Sequence, residues 1–150
     1  MLNPGEKAPD FSATTDEGTT FTLSDALKGS PVVLYFYPKD DTPGCTAEAC
    51  SFRDHWSDLK SLGGRVIGVS SDSTESHRKF KAKYNLPFTL LSDPDGRIRK
   101  LYKATGLLIP PRITYVIGQD GIIKKSFNSQ LQPKQHVEIS LESLKNMATK

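Results

Sequence analysis

Apolar and polar positions along the chain fall into short apolar runs and longer periodic stretches. Residues 32–37 (Val-Val-Leu-Tyr-Phe-Tyr) are apolar throughout and read as a strand buried on both faces. Residues 65–70 (Arg-Val-Ile-Gly-Val-Ser) give a second such strand, and Leu90 and Leu91 belong to a third, short one. Residues 113–117 (Ile-Thr-Tyr-Val-Ile) form another, which Gly118-Gln119-Asp120-Gly121 turns back through residues 122–127. Near the start, residues 11–14 and 20–23 flank Asp16-Glu17-Gly18 and predict a small hairpin, and 24–28 a short turn or helical piece stopped by Gly29.

Between these runs the period lengthens. Pro38 stops the first buried strand, because proline cannot donate to a ladder. Thr42 then reads as a helix N-cap and Pro43 as the first helical residue. Ala49, Phe52, Trp56 and Leu59 recur at three- and four-residue steps, the stripe of a core-facing helix that Gly63-Gly64 ends. Ser73 or Thr74 caps a helix over 75–84 with His77, Phe80 and Tyr84 on one side. Residues 93–96 make a turn, or the cap of a brief helix reaching Tyr102, and 107–111 an apolar loop ending in two prolines. Pro133 opens the last helix, with Val137, Leu141, Leu144 and Ala148 as its stripe. The order strand–helix–strand–helix–strand, hairpin and final helix predicts an α/β fold with a central mixed β-sheet flanked by helices and an N-terminal β-hairpin.

At 150 residues the chain is expected to be one domain spanning 1–150. Twenty basic against seventeen acidic residues leave a charge of +3, and Lys79, Lys81 and Lys83 read as a solvated helix face, so no nucleic-acid partner is expected. No apolar run reaches membrane-span length, and residues 1–15 lack a signal-peptide or transit pattern. The expectation is a soluble protein without membrane association, cytoplasmic, or in an organelle stroma if this is the mature form of an imported protein. Two cysteines without a Cys-x-x-Cys motif do not make a disulfide framework, and they suit a reducing compartment. His55, His77 and His136 lack metal-ligand spacing and read as surface or partly packed residues; no metal or other cofactor is expected.

The chemistry concentrates where the first buried strand gives way to a helix. Cys45 stands in that helix's first turn, on the apolar stripe one step before Ala49. A helix N-terminus favours an anion by about 0.3–2 kcal/mol. Holding a thiolate at neutral pH takes on the order of 3 kcal/mol, so a cation or further donors should stand beside the sulfur. Thr42, three residues earlier, has a hydroxyl that can point at the sulfur or at what it attacks. Cys50 lies about 140° around the helix from Cys45, which puts their Cα atoms roughly 8–9 Å apart, beyond the 7 Å reach of a disulfide. If these two ever bond, the first turns of the helix must unwind.

Pro38, Thr42 and Cys45 match the Pro-x-x-x-Thr-x-x-Cys signature of peroxiredoxins. Cys50 at plus five, followed by Phe52-Arg53-Asp54, resembles the Q-type, or bacterioferritin-comigratory, subfamily, as do Gly5, Ala8, Pro9, Asp10 and Phe11 and the segment 127–130 ahead of Pro133. The resemblance implies a thioredoxin-like fold and a thiol peroxidase. It makes Cys45 the peroxidatic residue, oxidised to a sulfenic acid by hydrogen peroxide or an organic hydroperoxide. Cys50 is then the resolving residue that closes a Cys45–Cys50 disulfide, and thioredoxin or a similar dithiol reduces it. Pro38 would shield the sulfenic acid. The backbone N–H groups of Gly44 and Cys45 would join Thr42 in binding substrate. An intrachain disulfide needs no second subunit, so a monomer is expected.

Topology supplies the cation. Chemistry in open α/β sheets sits beyond the carboxyl ends of parallel strands. If 113–117 runs antiparallel to the central strand, Arg112 starts at that same edge and faces Cys45, its fork of donors binding sulfur and a peroxide oxygen together. The resemblance implies the same arginine, although Pro111 stands before it where the subfamily more often has glycine. Glu48 reads either as a partner for Arg112 or as a solvent-facing helix residue, and Arg53 as a partner for Asp54 or Asp58 or a support for the site's loop. Two rival functions are a redox-switch binding protein using the same disulfide and a thioredoxin-type disulfide reductase. The latter lacks its Cys-x-x-Cys.

Overall fold

The computed structural model describes residues 1–106 and 109–148. Leu107 and Leu108 of the expected apolar loop, and the side chain of Ala148, lie outside the described residues. The chain runs β1 (Ser12–Thr15), β2 (Thr20–Thr22), α1 (Leu23–Gly29), β3 (Val32–Phe36), α2 (Pro43–Asp54), α3 (Trp56–Ser61) and β4 (Arg65–Ser70). It continues through α4 (Thr74–Tyr84), β5 (Thr89–Ser92), α5 (Arg97–Leu101), β6 (Ile113–Ile117), β7 (Ile123–Asn128) and α6 (Pro133–Ala148). The seven strands form one mixed sheet in the order β2-β1-β5-β4-β3-β6-β7. This is the thioredoxin-like α/β architecture that the order of elements predicts. The N-terminal hairpin does more than stand apart: β1 adds to the sheet, antiparallel to β5.

β3 is buried over its whole length because it lies inside the sheet with helices on both faces. Its side chains alternate between two cores. Val32, Leu34 and Phe36 join Phe11, Leu23, Ile98, Tyr102 and Tyr115 on one face. Val33 and Tyr35, with Tyr37 just beyond the strand, meet Cys45, Ala49, Phe52, Leu59, Phe80, Val137 and Leu144 on the other. Tyr35 stacks on Phe52 of α2 with ring centroids 4.7 Å apart, so the strand directly supports the helix that carries both cysteines. The parallel register sets Tyr35 beside Gly68 of β4. A Cβ at Gly68 would lie 2.9 Å from the Tyr35 ring and from Leu90 Cδ2, so the glycine makes room for that ring.

One expected helix is two. The stripe Ala49, Phe52, Leu59 is buried as predicted, with Trp56 half-buried, but the helix ends at Asp54 and restarts at Trp56. His55 at the junction bonds the Ser51 carbonyl through its ring Nδ1 at 2.9 Å. α2 is thereby a separate twelve-residue unit. At the other helix starts, Ser73 rather than Thr74 is the cap of α4, its hydroxyl accepting from the Ser76 N–H.

The loop between β3 and α2 is pinned from beneath. Asp40 is buried and receives the Tyr37 hydroxyl at 2.5 Å, the Ser76 hydroxyl at 2.8 Å and His77 Nδ1 at 2.7 Å. His77 Nε2 faces the Leu91 carbonyl at 2.9 Å and, since a carbonyl only accepts, donates to it. His77 is therefore fully buried and structural, not a surface residue. His136 is buried as well; both histidines correct the reading of surface or partly packed rings. Asp41 adopts a left-handed backbone (φ 55°), and its carboxylate is held by Lys83 Nζ at 2.7 Å and the Tyr84 hydroxyl at 2.8 Å.

The Gly68→Ala substitution is expected to destabilise the protein by roughly 1–3 kcal/mol, the range for overpacking a filled core. A urea titration should show a lower midpoint with an unchanged slope.

Candidate active site

β3 runs parallel to β4 and β5 and antiparallel to β6, with Phe36 opposite Ile113. The end of β3 and the start of β6 therefore share one edge of the sheet. Arg112, the residue before β6, arrives there from one side while α2 leaves from the other. Arg112 Nη1 lies 3.4 Å from Cys45 Sγ and 2.8 Å from Glu48 Oε1. Cys45 and Arg112 are almost completely buried and Glu48 fully so. Both cysteines are free thiols, Cys50 half-buried on the other side of α2.

The remaining residues singled out in the sequence line the same edge. Pro38 and Thr42 are half-buried in the loop that enters α2. Thr42 does precede the helix with extended backbone, but its side chain makes no capping bond. Its hydroxyl instead donates to the Lys39 carbonyl at 2.8 Å. That leaves the Thr42 oxygen as an acceptor for a ligand's proton rather than a donor to sulfur. The first N–H groups of α2 have no partner inside the helix and point out at its N-terminus. Gly44 is needed for space, not conformation: a Cβ there would lie 2.8 Å from Arg112 Nη2. The guanidinium thus rests edge-on against the first turn of α2.

Glu48 is the partner of Arg112, one of its two expected readings, and not a solvent-facing residue. Cys45, Glu48, Ala49 and Phe52 stand at i, i+3, i+4 and i+7, so the apolar stripe itself carries Glu48 inward. Burial pushes the Glu48 carboxyl up to about 8, against the pull of Arg112. Burial also works on Arg112, downward, but the facing Glu48 and Cys45 outweigh it and hold the guanidinium above its ordinary value. Behind Glu48 stands His136 of α6, with Nδ1 3.6 Å from Oε2. Burial pushes His136 down to about 4. His136 is therefore a neutral ring at pH 7, and the 3.6 Å contact is not an ion pair.

Arg99 was missed in the sequence, whereas Arg53, with Asp54 among its expected partners, and the segment 127–130 were singled out there. Arg99 of α5 is buried and spends its guanidinium on backbone carbonyls: Nη1 on Ala104 (2.6 Å) and Pro111 (3.1 Å), Nη2 on Tyr37 (2.7 Å). It ties the end of β3 to the residue just before Arg112. The segment 128–130 does similar work: Ser129 N–H donates to the Arg112 carbonyl at 3.2 Å and Gln130 Nε2 to the Pro110 carbonyl at 3.2 Å. Arg53 pairs with Asp54 at 3.0 Å and donates to the Tyr84 carbonyl at 2.7 Å, tying α2 to the end of α4. Among the described residues, Asp40, Asp72 and His77 are the one group with metal-ligand spacing. Hydrogen-bond donors already occupy the Asp40 and Asp72 oxygens that face one another, so the cluster reads as a loop anchor.

Gly44→Ala should displace the Arg112 guanidinium from the helix while leaving the fold intact. The expected result is a loss of roughly 10–100-fold in the rate of reaction with hydrogen peroxide, read by stopped flow, with little change in melting temperature.

Residues 4–126 match the AhpC/TSA family. The chain is 48% identical over 148 residues to the putative peroxiredoxin bcp of Coxiella burnetii, covering 91% of this chain and 92% of that protein. It is 43% identical over 149 residues to the chloroplastic peroxiredoxin Q of Populus jackii, covering 97% of this chain and 70% of that one. The crystal structure of peroxidoxin BcpB from Mycobacterium tuberculosis superposes with a TM-score of 0.93 at 32% identity, over 98% of this chain and 99% of that one. With a conserved fold over its whole described length and a buried thiol beside an arginine at the expected sheet edge, this chain belongs to the peroxiredoxins of the AhpC/TSA family, in the Q-type or bacterioferritin-comigratory branch, and is a thiol peroxidase.

Proposed function

We propose that Cys45 is the thiol that reacts with hydroperoxides and that Cys50 resolves the product. The single observation that carries this reading is Arg112 Nη1 at 3.4 Å from the buried Cys45 sulfur, at the N-terminus of α2. The Cys45 thiolate attacks one peroxide oxygen. Two electrons pass from sulfur into the O–O bond, the thiol becomes a sulfenic acid, and the other oxygen leaves as alkoxide or hydroxide and takes up a proton. A stabilised thiolate alone explains little, since nucleophilicity falls as a thiol becomes more acidic. Most of the acceleration comes from donors placed where charge develops, Arg112 and the N–H groups of Gly44 and Cys45, while the Thr42 oxygen orients the substrate by accepting a hydrogen bond from the peroxide O–H. Pro38 shields the product from water.

Cys50 then attacks the sulfenic sulfur, a disulfide forms and water leaves. Within an intact α2 the two Cα atoms stay roughly 8–9 Å apart, so this step requires the first turns of the helix to unwind. The break at His55 lets α2 do so without α3. An external dithiol protein of the thioredoxin type returns the disulfide to two thiols by exchange. Resolution inside one chain makes a monomer sufficient. No helix among the described residues is long and apolar enough to cross a membrane. Action in a cytoplasm or organelle stroma, without a membrane or nucleic-acid partner, belongs to the same proposal. A redox-switch binding role for the same disulfide is the weaker reading, because a sensor has no use for a complete set of transition-state donors.

The Cys45→Ser variant is expected to lose peroxide consumption entirely, and retained turnover overturns the assignment. Cys50→Ser should reduce one equivalent of peroxide and accumulate a sulfenic acid that a dimedone-type trap captures on Cys45 by mass spectrometry. If the wild-type oxidised protein shows no Cys45–Cys50 peptide, resolution passes to an external thiol.

A further inference from the structure

The ladder between β3 and β6 ends at the pair Phe36 and Ile113, one residue short of where the site begins. Both chains pass through a proline at this point. Pro38 follows Tyr37, Pro111 precedes Arg112, and neither proline has an N–H with which to extend a ladder. A single side chain spans the gap. Arg99 Nη2 donates to the Tyr37 carbonyl at 2.7 Å, and Nη1 donates to the Pro111 carbonyl at 3.1 Å. These carbonyls belong to the peptide units that lead directly into Pro38 and into Arg112. Nη1 also reaches the Ala104 carbonyl at 2.6 Å, and the Ala104 N–H returns a bond to the Arg99 carbonyl at 2.8 Å.

Arg99 is itself firmly held. The two carboxylate oxygens of Asp93 accept the N–H groups of Ile98 and Arg99, each at 3.1 Å. The guanidinium lies over the Phe36 ring, 5.6 Å from its centroid, and the residue is only 6% exposed. A buried charge is costly unless it is paired or hydrogen-bonded, and here charge-assisted bonds to the main chain offset the burial. Arg112, for its part, has little slack. Its Nη1 stands 3.4 Å from the sulfur, and its Nη2 would lie 2.8 Å from a Cβ placed on Gly44. A shift of the 111–112 peptide is therefore passed on to the guanidinium beside Cys45.

We propose that Arg99 is a positioning residue of the peroxidase reaction: its planar fork replaces the missing rung between β3 and β6 and so fixes Pro38 and Arg112 around Cys45. Arg99 acts through those two peptide units rather than on the reacting atoms. A lysine in its place keeps the charge and the aliphatic stem. Its ammonium is a single point, however, and cannot hold carbonyls of separate segments in the manner of a fork. Burial draws the Arg99 guanidinium down to about 10, with Asp93 and then Cys45 pulling the other way, so the tether keeps its charge at neutral pH.

The inference rests on Cys45 as the reacting thiol. Its test compares Arg99→Lys with its parent, both carrying Cys50→Ser so that one thiol is followed. Two rates are measured, at a pH high enough that raising it further changes neither. Reaction with hydrogen peroxide needs donors aligned on the departing oxygen, whereas alkylation by iodoacetamide needs only an accessible thiolate. Arg99→Lys should slow the peroxide reaction by roughly 10–100-fold and leave alkylation within about threefold of the parent. Equal losses in both rates overturn the proposal, because they report access to the thiol rather than alignment. An unchanged peroxide rate overturns it as well. A parent that fails to consume one equivalent of peroxide overturns the assignment of Cys45, and this proposal with it. If Arg99→Lys does not fold, Asp93→Asn takes its place: the amide keeps one acceptor and turns a donor toward the other N–H, loosening the backbone of Arg99. A selective loss of about threefold or more in the peroxide rate then supports the role, and an unchanged rate refutes it.

Discussion

The site depends on a shared edge: a parallel strand that hands its chain to α2, beside an antiparallel strand that begins with Arg112. The pairing of Phe36 with Ile113 fixes both arrivals at once. At 3.4 Å a unit charge pair is worth about 5 kcal/mol at an effective dielectric of 20. The dipole of α2 alone falls short of that. Glu48 faces the same Arg112 nitrogen at 2.8 Å, so the thiol and the carboxyl share one guanidinium.

The same contacts link chemistry to the mobility of α2. The helix is held to the body by the Phe52–Tyr35 stack, by the Arg53 bridge to the end of α4, and by Arg112 reaching into its first turn. Oxidation of Cys45 to a neutral sulfenic acid removes the charge that Arg112 pairs with, so one tether weakens at the moment when Cys50 must approach. The loop before the helix is secured independently, through Asp40 to His77 and Asp41 to Lys83 and Tyr84. Unwinding is therefore directed toward α2 and away from the loop that carries Pro38 and Thr42.

Much of this was legible in the sequence, because the strands are continuous apolar runs and the cysteine sits at a strand-to-helix junction with recognisable start signals. Residues 65–70 and 113–117 emerged with the predicted bounds. What escaped were the polar groups buried by tertiary packing. Glu48 was half legible: pairing with Arg112 was one of its two readings, but a glutamate's default exposure kept a solvent-facing one beside it, although it stands at i+3 of the apolar stripe. His136 sits one residue before Val137, on the same buried side of α6. Its neighbours Thr114 and Ser129 come from elsewhere in the chain, so no local pattern could reveal them. The break at His55 was hidden because the stripe runs on through it. The rotamer of Thr42 was misread since a threonine before a helix normally caps it, whereas here its hydroxyl is taken by the Lys39 carbonyl.

Arg99 shows how the second arginine of the site differs from the first. Burial draws its guanidinium down to about 10, still charged at neutral pH, and three backbone carbonyls absorb its donors. Three of its five N–H donors are thus committed to the backbone. What it provides is placement, because the Pro111 and Tyr37 carbonyls it joins are the last residues before Arg112 and the first beyond β3. Pro111 is compatible with this arrangement. A proline brings no N–H to satisfy, and its carbonyl is the very group that Arg99 holds. The rigidity a glycine would lack is supplied twice over, by the ring and by Arg99, so that the charge beside Cys45 arrives on a fixed support.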